Sequence, residues 1–433
     1  AQTDLLPMIS MSLLSTLLEA KPPPLAASDG VHTFTYDSVQ RRLPLIVEAV
    51  LKNNPSYPVE LEESLRNLAA EIECGKPLQA LKAPPATWAA EMAPLLAETK
   101  TWFTAPWFLV ENYFYKRILE LTDPVTGGSD PFAAQKLASL AAAEGAFQRM
   151  LAAKLDTTED LERLVMTSLW GNVADLSVSA GDVLVTPEKA SEGVDGEEVD
   201  DMLLADDTKA LCSALIAARS GEVIIVLDNC GLEFVADLLL IDGLLRCGQN
   251  KITLHVKDTP VFVSDVTVPD IEPHLSWLES NHGQEMAARL RQAFTDGRVE
   301  VEAPTFYTSS IPFYEMPDSL RTRFGAAELV ITKGDANYRR MLGDLHWPFD
   351  TPFSELMSYW PSSVAALRTC KSGAILFSSV HSTIDGQIPC EPSEANAIVC
   401  VKLSHTLAHG VFRLRCGCHQ LDLRCLRCVG WRL

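Results

Sequence analysis

The sequence predicts an α/β protein, an N-terminal helical bundle joined to a Rossmann-like, mostly parallel α/β/α sheet domain, and three observations carry that prediction. The run from Val223 to Leu227 is apolar, mostly β-branched and without alternation, the pattern of a strand buried on both faces of a parallel sheet. Beyond Asp207, helical and strand-like segments alternate, which implies parallel pairing with right-handed crossovers. Up to about Ser177 nearly every segment has helical periodicity and few β-branched runs. A chain of 433 residues, 47% of them apolar, can fill a sizeable core. We divide it into a helical part (1–177), an α/β part (178–390) and an atypical tail (391–433).

Leu5 to Leu18 is mildly apolar, is interrupted by Pro7 and lacks a basic leader, so it reads as a helix and not a signal peptide. Asp37 or Ser38 caps a helix in which Leu43, Ile46, Val47, Val50 and Leu51 form one apolar stripe. Pro55 and Pro58 close that helix and open the next, Val59 to Cys74. A proline and alanine linker, Lys82 to Thr87, precedes a short helix over Trp88 to Thr99. Ala105 to Leu121 and a long alanine-rich helix over Phe132 to Leu155 follow. SLWGNVADLS, Ser168 to Ser177, ends this part in what reads as a capping turn, and Glu188 to Asp207 reads as an acidic loop. In the second part a helix over Thr208 to Arg219 leads into the Val223 strand and the helix around Phe234. A strand over Lys251 to Val256 comes next, then helices over Pro269 to Asn281 and Gln284 to Thr295. Strands near Val299 to Glu302 and Leu329 to Thr332 precede a helix starting near Asp335.

A net charge of −21, from 57 acids against 36 bases, argues against general affinity for nucleic acid or anionic membranes. No apolar run reaches the length of a membrane span. The 11 cysteines, an odd number with six from Cys390 onward, are not a secreted disulfide framework. The expected compartment is therefore reducing, the cytoplasm first and the nucleus second. Neither a Gly-x-Gly-x-x-Gly after a strand nor a Walker loop occurs, which counts against an ordinary dinucleotide or nucleoside triphosphate site.

Ligands of an open α/β sheet bind outside the carboxyl ends of its strands. Three places that read as strand ends carry acids or amides: Asp228 with Asn229, Asp265 in VFVSDVT, and Asp335 with Asn337 in TKGDANYRR. Two carboxylates and an amide are oxygen ligands for a hard divalent cation. For Asp228 and Asn229 taken alone, an Asx turn leading into a helix is the alternative. His255 lies within its strand and reads as a packed core histidine. Lys333, Arg339 and Arg340, then Arg368 and Lys371 in RTCK, are fixed cations near these acids. A phosphorylated ligand in so acidic a protein needs both a metal and such cations, although each basic residue taken singly also fits a solvated helix start.

DNCGLEFVADLLLIDGLL, FVSDVT, KGDANYRR and RTCK, in this order, resemble the metal-dependent damage-control phosphatases, and the RTxK pattern is similar to that of their subfamily III, described as sugar phosphate phosphatases or acidic-residue methyltransferase-like proteins. APWFLVENYFYKRI, DPF and SLWGNVADLS extend the resemblance into the helical part, from about Tyr36 to Lys371. The resemblance implies a divalent metal (manganese, nickel, cobalt or magnesium) on Asp228, Asn229 and Asp265. It implies substrate contacts from Asp228, Asn229, the segment Asp335, Ala336, Asn337, Tyr338 and Arg339, and Lys371. The implied reaction is hydrolysis of small sugar phosphates such as fructose 1-phosphate and fructose 6-phosphate. In this scheme the metal and Lys371 bind the phosphoryl oxygens and Arg339 helps hold the phosphate. A metal-bound water attacks, or in second place a carboxylate such as Asp228. Asp335 accepts the water's proton or grips a sugar hydroxyl. Glu111, Asn172 and Asp175 are candidates for a wall where the helical part meets the sheet.

The same resemblance carries an alternative, a carboxyl methyltransferase that modifies glutamate with S-adenosylmethionine, but no glycine-rich methyltransferase loop follows the first strand. A third reading is a non-catalytic relative disabled by its altered C-terminus. After Lys371 the resemblance fades. Cys416 and Cys418 lie closer to Cys425 and Cys428 than zinc-finger spacing allows, even with His405, His409 or His419 nearby, so we read an altered terminus and not a zinc site.

Overall fold

In the computed structural model, which describes residues 22–31, 33–152, 158–171, 203–348, 351, 353–370 and 397–403, the Val223 run lies inside a seven-stranded sheet. The strands are β1 (Leu203–Ala205), β2 (Glu222–Val226), β3 (Lys251–His255), β4 (Val299–Glu302), β5 (Leu329–Lys333), β6 (Ser363–Cys370) and β7 (Ala397–Leu403), in the order β1-β7-β6-β5-β2-β3-β4. All neighbours are parallel except β1, which runs antiparallel to β7 at the edge. From β2 the chain winds through β3 to β4, then returns to the other side of β2 and winds outward through β5, β6 and β7. The direction of winding thus reverses between β2 and β5, and the crevice at such a reversal is where an open sheet binds its ligand.

Burial on both faces explains the unbroken apolar run. Val223 and Ile225 pack on one side with Ile252, Leu254, Ile331 and Ala365, while Ile224 and Val226 pack on the other with Phe306, Phe313, Val330 and Trp360. The helices are α1 (Leu43–Asn53), which the turn Phe34–Asp37 and a π-helical stretch Ser38–Arg42 lead into, α2 (Val59–Glu73), α3 (Ala86–Ala97), α4 (Trp107–Thr126), α5 (Ala133–Ala142), α6 (Glu144–Ala152), α7 (Thr158–Gly171), α8 (Thr208–Ala217), α9 (Leu232–Arg246), α10 (Ile271–Ser280), α11 (Gln284–Thr295), α12 (Asp318–Gly325) and α13 (Gly334–Leu342). Residues of α1 to α4 make a third core of their own, which also takes in Val261, Phe262 and Val263 from the connection after β3. Phe147, Leu161, Leu164 and Leu169 from α6 and α7 join the first sheet core instead. The close crossing of α7 over α9 uses Gly171, where a Cβ would stand 2.8 Å from the Glu233 Cα.

The structure departs from the sequence reading at several places, one of them strand β7, which lies in the stretch set apart as an atypical tail yet pairs in parallel with β6. The long helix over Phe132 to Leu155 is two helices, α5 and α6, parted at Ala143 beside the helix-weakening Gly145. Leu203–Ala205, within the stretch read as an acidic loop, is strand β1. Strand β6, which carries Arg368, was not among the expected strands; its Ala365, Ala366 and Leu367 favour helix locally and become strand through pairing with β5. VFVSDVT is not a strand end but part of the connection between β3 and α10. The expected N-terminal helix, Asn172, Asp175, Lys371 and the cysteines beyond 403 lie outside the described residues. Among the described residues no helix is long and apolar enough to cross a membrane.

Candidate active site

Asp228 and Asn229 lie just past the end of β2, both nearly fully buried. The connection after β3 runs back antiparallel beside them: Asn229 forms a bridge with Asp265, the Cys230 N–H donates to Ser264 O at 2.7 Å, and the Val266 N–H donates to Asp228 O at 2.8 Å. The orientation of the Asn229 amide follows from its neighbours. Its Nδ2 donates to Asp228 Oδ2 and to Glu233 Oε2, each at 2.8 Å, and its Oδ1 accepts the Ser264 hydroxyl at 2.6 Å. Lys257, also buried, lies 3.0 Å from Asp265 Oδ2 and donates to Leu227 O at 3.0 Å.

The end of β5 closes on the same point. Gly334 has φ +82°, and a Cβ there would fall 1.9 Å from Asp228 Oδ2, so the first turn of α13 lies directly against that carboxylate and tolerates no side chain at this position. Asp335, the next residue, accepts from Arg368 of β6 through Nε at 2.9 Å and Nη2 at 2.6 Å. Asn337 turns inward and donates to Lys333 O at 2.8 Å. Tyr338 stacks on Phe353 and lies under the Arg368 guanidinium at 4.2 Å, while Ala336 packs against the helical core. Asp228, Asn229 and Asp265, brought together from two connections, therefore lie at the reversal point of the sheet with the first turn of α13 against them, while the Asp335 carboxylate is held on Arg368 and Asn337 reaches Leu227 O at 3.4 Å.

The cations of KGDANYRR are engaged elsewhere. Lys333 Nζ donates to Ser168 O at 2.6 Å and to Ser168 Oγ and Asp237 Oδ1 at 2.8 Å, and it lies 3.1 Å from Glu233 Oε1. Burial pulls its pKa down, and the two carboxylates outweigh that and leave it raised. The same burial pushes Asp237 up to about 6 against the pull of Lys333. Arg339 stacks over Trp107 at 3.7 Å and is paired with Asp344 at 2.8 Å and with Glu111 of α4 at 2.5 Å. Arg340 donates to the carbonyls of Tyr307, Ser309 and Ile311, and burial lowers its pKa to about 10. His255, as expected, is a core histidine, bonded to the Tyr307 hydroxyl at 2.6 Å and stacked on Phe324.

Three residues at the crevice escaped the sequence reading. Glu233 had a signal, since it stands four positions after Asn229 at the start of α9. Ser264 and Lys257 had none, because their reach depends on the path of the connection. Among the described residues no three His, Cys, Asp or Glu side chains form a metal-holding group by themselves. The set at the crevice is two carboxylates completed by an amide, hard oxygen donors that suit a divalent cation.

A doubly wound sheet with acids, an amide and a helix N-terminus gathered at its reversal point defines an α/β protein with a small-ligand crevice. The chain belongs to the damage-control phosphatase ARMT1-like domain family, whose profile matches residues 38–379. It is 28% identical over 404 residues to Damage-control phosphatase ARMT1 of Danio rerio, covering 81% of this chain and 90% of that protein. With the Xenopus laevis protein of the same name it shares 31% identity over 306 residues, 64% of this chain and 69% of the relative. A DUF89 family protein of known crystal structure from Pyrococcus horikoshii is similar at a TM-score of 0.43 and 19% identity, over 69% of this chain and 85% of that one. Family membership supports a phosphatase role on damaged metabolites and, with it, a phosphorylated small-molecule substrate.

Proposed function

We propose that this chain is a metal-dependent phosphatase of small sugar phosphate monoesters, with fructose 1-phosphate and fructose 6-phosphate as representatives. The observation that carries the reading is the meeting of Asp228, Asn229, Asp265 and the first turn of α13 at one crevice. In this reading Asp228, Asn229 and Asp265 hold manganese, nickel, cobalt or magnesium, which when bound supplies positive charge to the phosphoryl oxygens. The first-turn N–H groups of α13, at Asp335, Ala336 and Asn337, bind the phosphate at the positive end of the helix. Lys371, the residue after β6 in sequence, is the side-chain cation for the developing charge. Asp335, held by Arg368, takes the proton of the attacking water or a hydrogen bond from a sugar hydroxyl. Arg339 and Tyr338 serve the substrate through α13, which their contacts with Asp344, Glu111 and Phe353 hold in place.

The test is release of phosphate from fructose 1-phosphate by the purified protein with and without manganese. Asp228→Ala should abolish metal-dependent release while the circular dichroism spectrum stays that of the parent. Full turnover in that variant would sink the assignment. Methyl transfer from S-adenosylmethionine to glutamate without phosphate release would instead favour a carboxyl methyltransferase, and neither activity a non-catalytic relative.

A further inference from the structure

Two consecutive residues before Asp265, Phe262 and Val263, have φ of +51° and +68°. L side chains avoid this region, and a β-branched valine tolerates it least. Such backbone persists only where its surroundings over-determine it. The Ser264 N–H donates back to Phe262 O at 2.8 Å and closes the turn, and Ser264 and Asp265 then lie against Asn229. The turn is gripped by the helical bundle and not by the sheet. Phe262 and Val263 are buried in the core of α1 to α4. The Phe262 ring stacks on Phe108 with centroids 6.4 Å apart and meets Tyr115 edge-on at 5.4 Å, both partners belonging to α4.

We propose that the helical bundle is a clamp on the metal site, with Phe262 as a positioning residue: its seat between Phe108 and Tyr115 enforces the left-handed turn, which presents Ser264 and Asp265 to Asp228 and Asn229. The inference rests on reading Asp228, Asn229 and Asp265 as ligands of a divalent cation. Loss of the grip lets the chain return toward negative φ and moves Asp265 away, whereas β2 and β5 stay seated between the two sheet cores. Metal affinity is then set partly by packing in a part of the molecule that supplies no ligand.

Manganese titrated calorimetrically into the full chain, without substrate, tests this. Phe262→Ala should bind manganese on the order of 10–100-fold more weakly, the range for residues that orient metal ligands, with turnover of fructose 1-phosphate recovered at correspondingly higher manganese. Glycine adopts the left-handed conformation at no steric cost. Phe262→Ala combined with Val263→Gly should therefore regain part of the affinity, although it removes more packing, where a merely structural role predicts a further loss. Phe262→Leu gives the same readout with a smaller decrease if the alanine variant does not fold. Parent-like affinity in the folded Phe262 variant, or a further loss in the double variant, overturns the clamp. Failure of the parent to bind manganese overturns instead the metal reading beneath it.

Discussion

The imidazole of His274 sits between two backbone groups, its Nδ1 bonded to Asp270 O at 2.7 Å and its Nε2 accepting the Gly231 N–H at 2.9 Å. Gly231 follows Asp228, Asn229 and Cys230 directly, so this neutral ring fastens the turn that carries the site. Burial lowers its pKa to about 4, and Asp270 beside it does not restore the ordinary value of 6.5. Between those two values the unfolded chain takes up a proton that the folded chain refuses. His274 thus contributes stability that is full above pH 6.5 and is lost as pH falls toward 4, at about 1.4 kcal/mol per pH unit for one proton. Urea unfolding at pH 6.5 and 4.5 measures this. His274→Gln should flatten the decline by roughly that amount per unit, and an equal decline in parent and variant would contradict the assignment. The cations show why charge alone misleads at this scale. Lys333 was expected among the cations around an anionic ligand, yet its ammonium neutralises Glu233 and Asp237. A sequence marks a charge but not its partner.

Among elements, the contact of α4 with α13 turns on Glu111, which pairs with Arg339 and, from the π-helical lead-in to α1, with Arg42. All three side chains are buried, so the carboxylate offsets two guanidinium groups that water cannot reach. Glu111→Gln should cost about 3–5 kcal/mol, the usual result of removing one partner from a buried pair, read as a lower urea midpoint at unchanged slope. A midpoint within error of the parent would mean that Asp344 and the Trp107 ring suffice for Arg339. The element boundaries follow similar physics. Strand β6 was invisible to periodicity because its alanines and leucine carry a helical preference that pairing with β5 on one side and β7 on the other overrides. The break between α5 and α6 was likewise hidden in an alanine-rich stretch whose composition favours one continuous helix.

For the whole molecule, a cation held as proposed, by Asp228 and Asn229 past the end of β2 and by Asp265 in the connection after β3, would bind the folded chain and not the unfolded one. Free manganese at a hundredfold excess over its dissociation constant should therefore raise stability by about 2.7 kcal/mol, measured by thermal unfolding, reversed by chelator and absent in Asp228→Ala. A parent protein indifferent to manganese in that measurement would contradict the metal reading. What the sequence by itself determined was the α/β class, the central strand, and the acids and amide worth watching, because periodicity and side-chain chemistry are local properties of the chain. Only the tertiary structure decided that Asp265 arrives by a strained turn in a connection, that Gly334 must have no side chain because Asp228 lies against it, and that Arg339 belongs to Glu111. Those outcomes join residues far apart along the chain, and which of them meet is settled by packing and by the cost of leaving a buried charge alone.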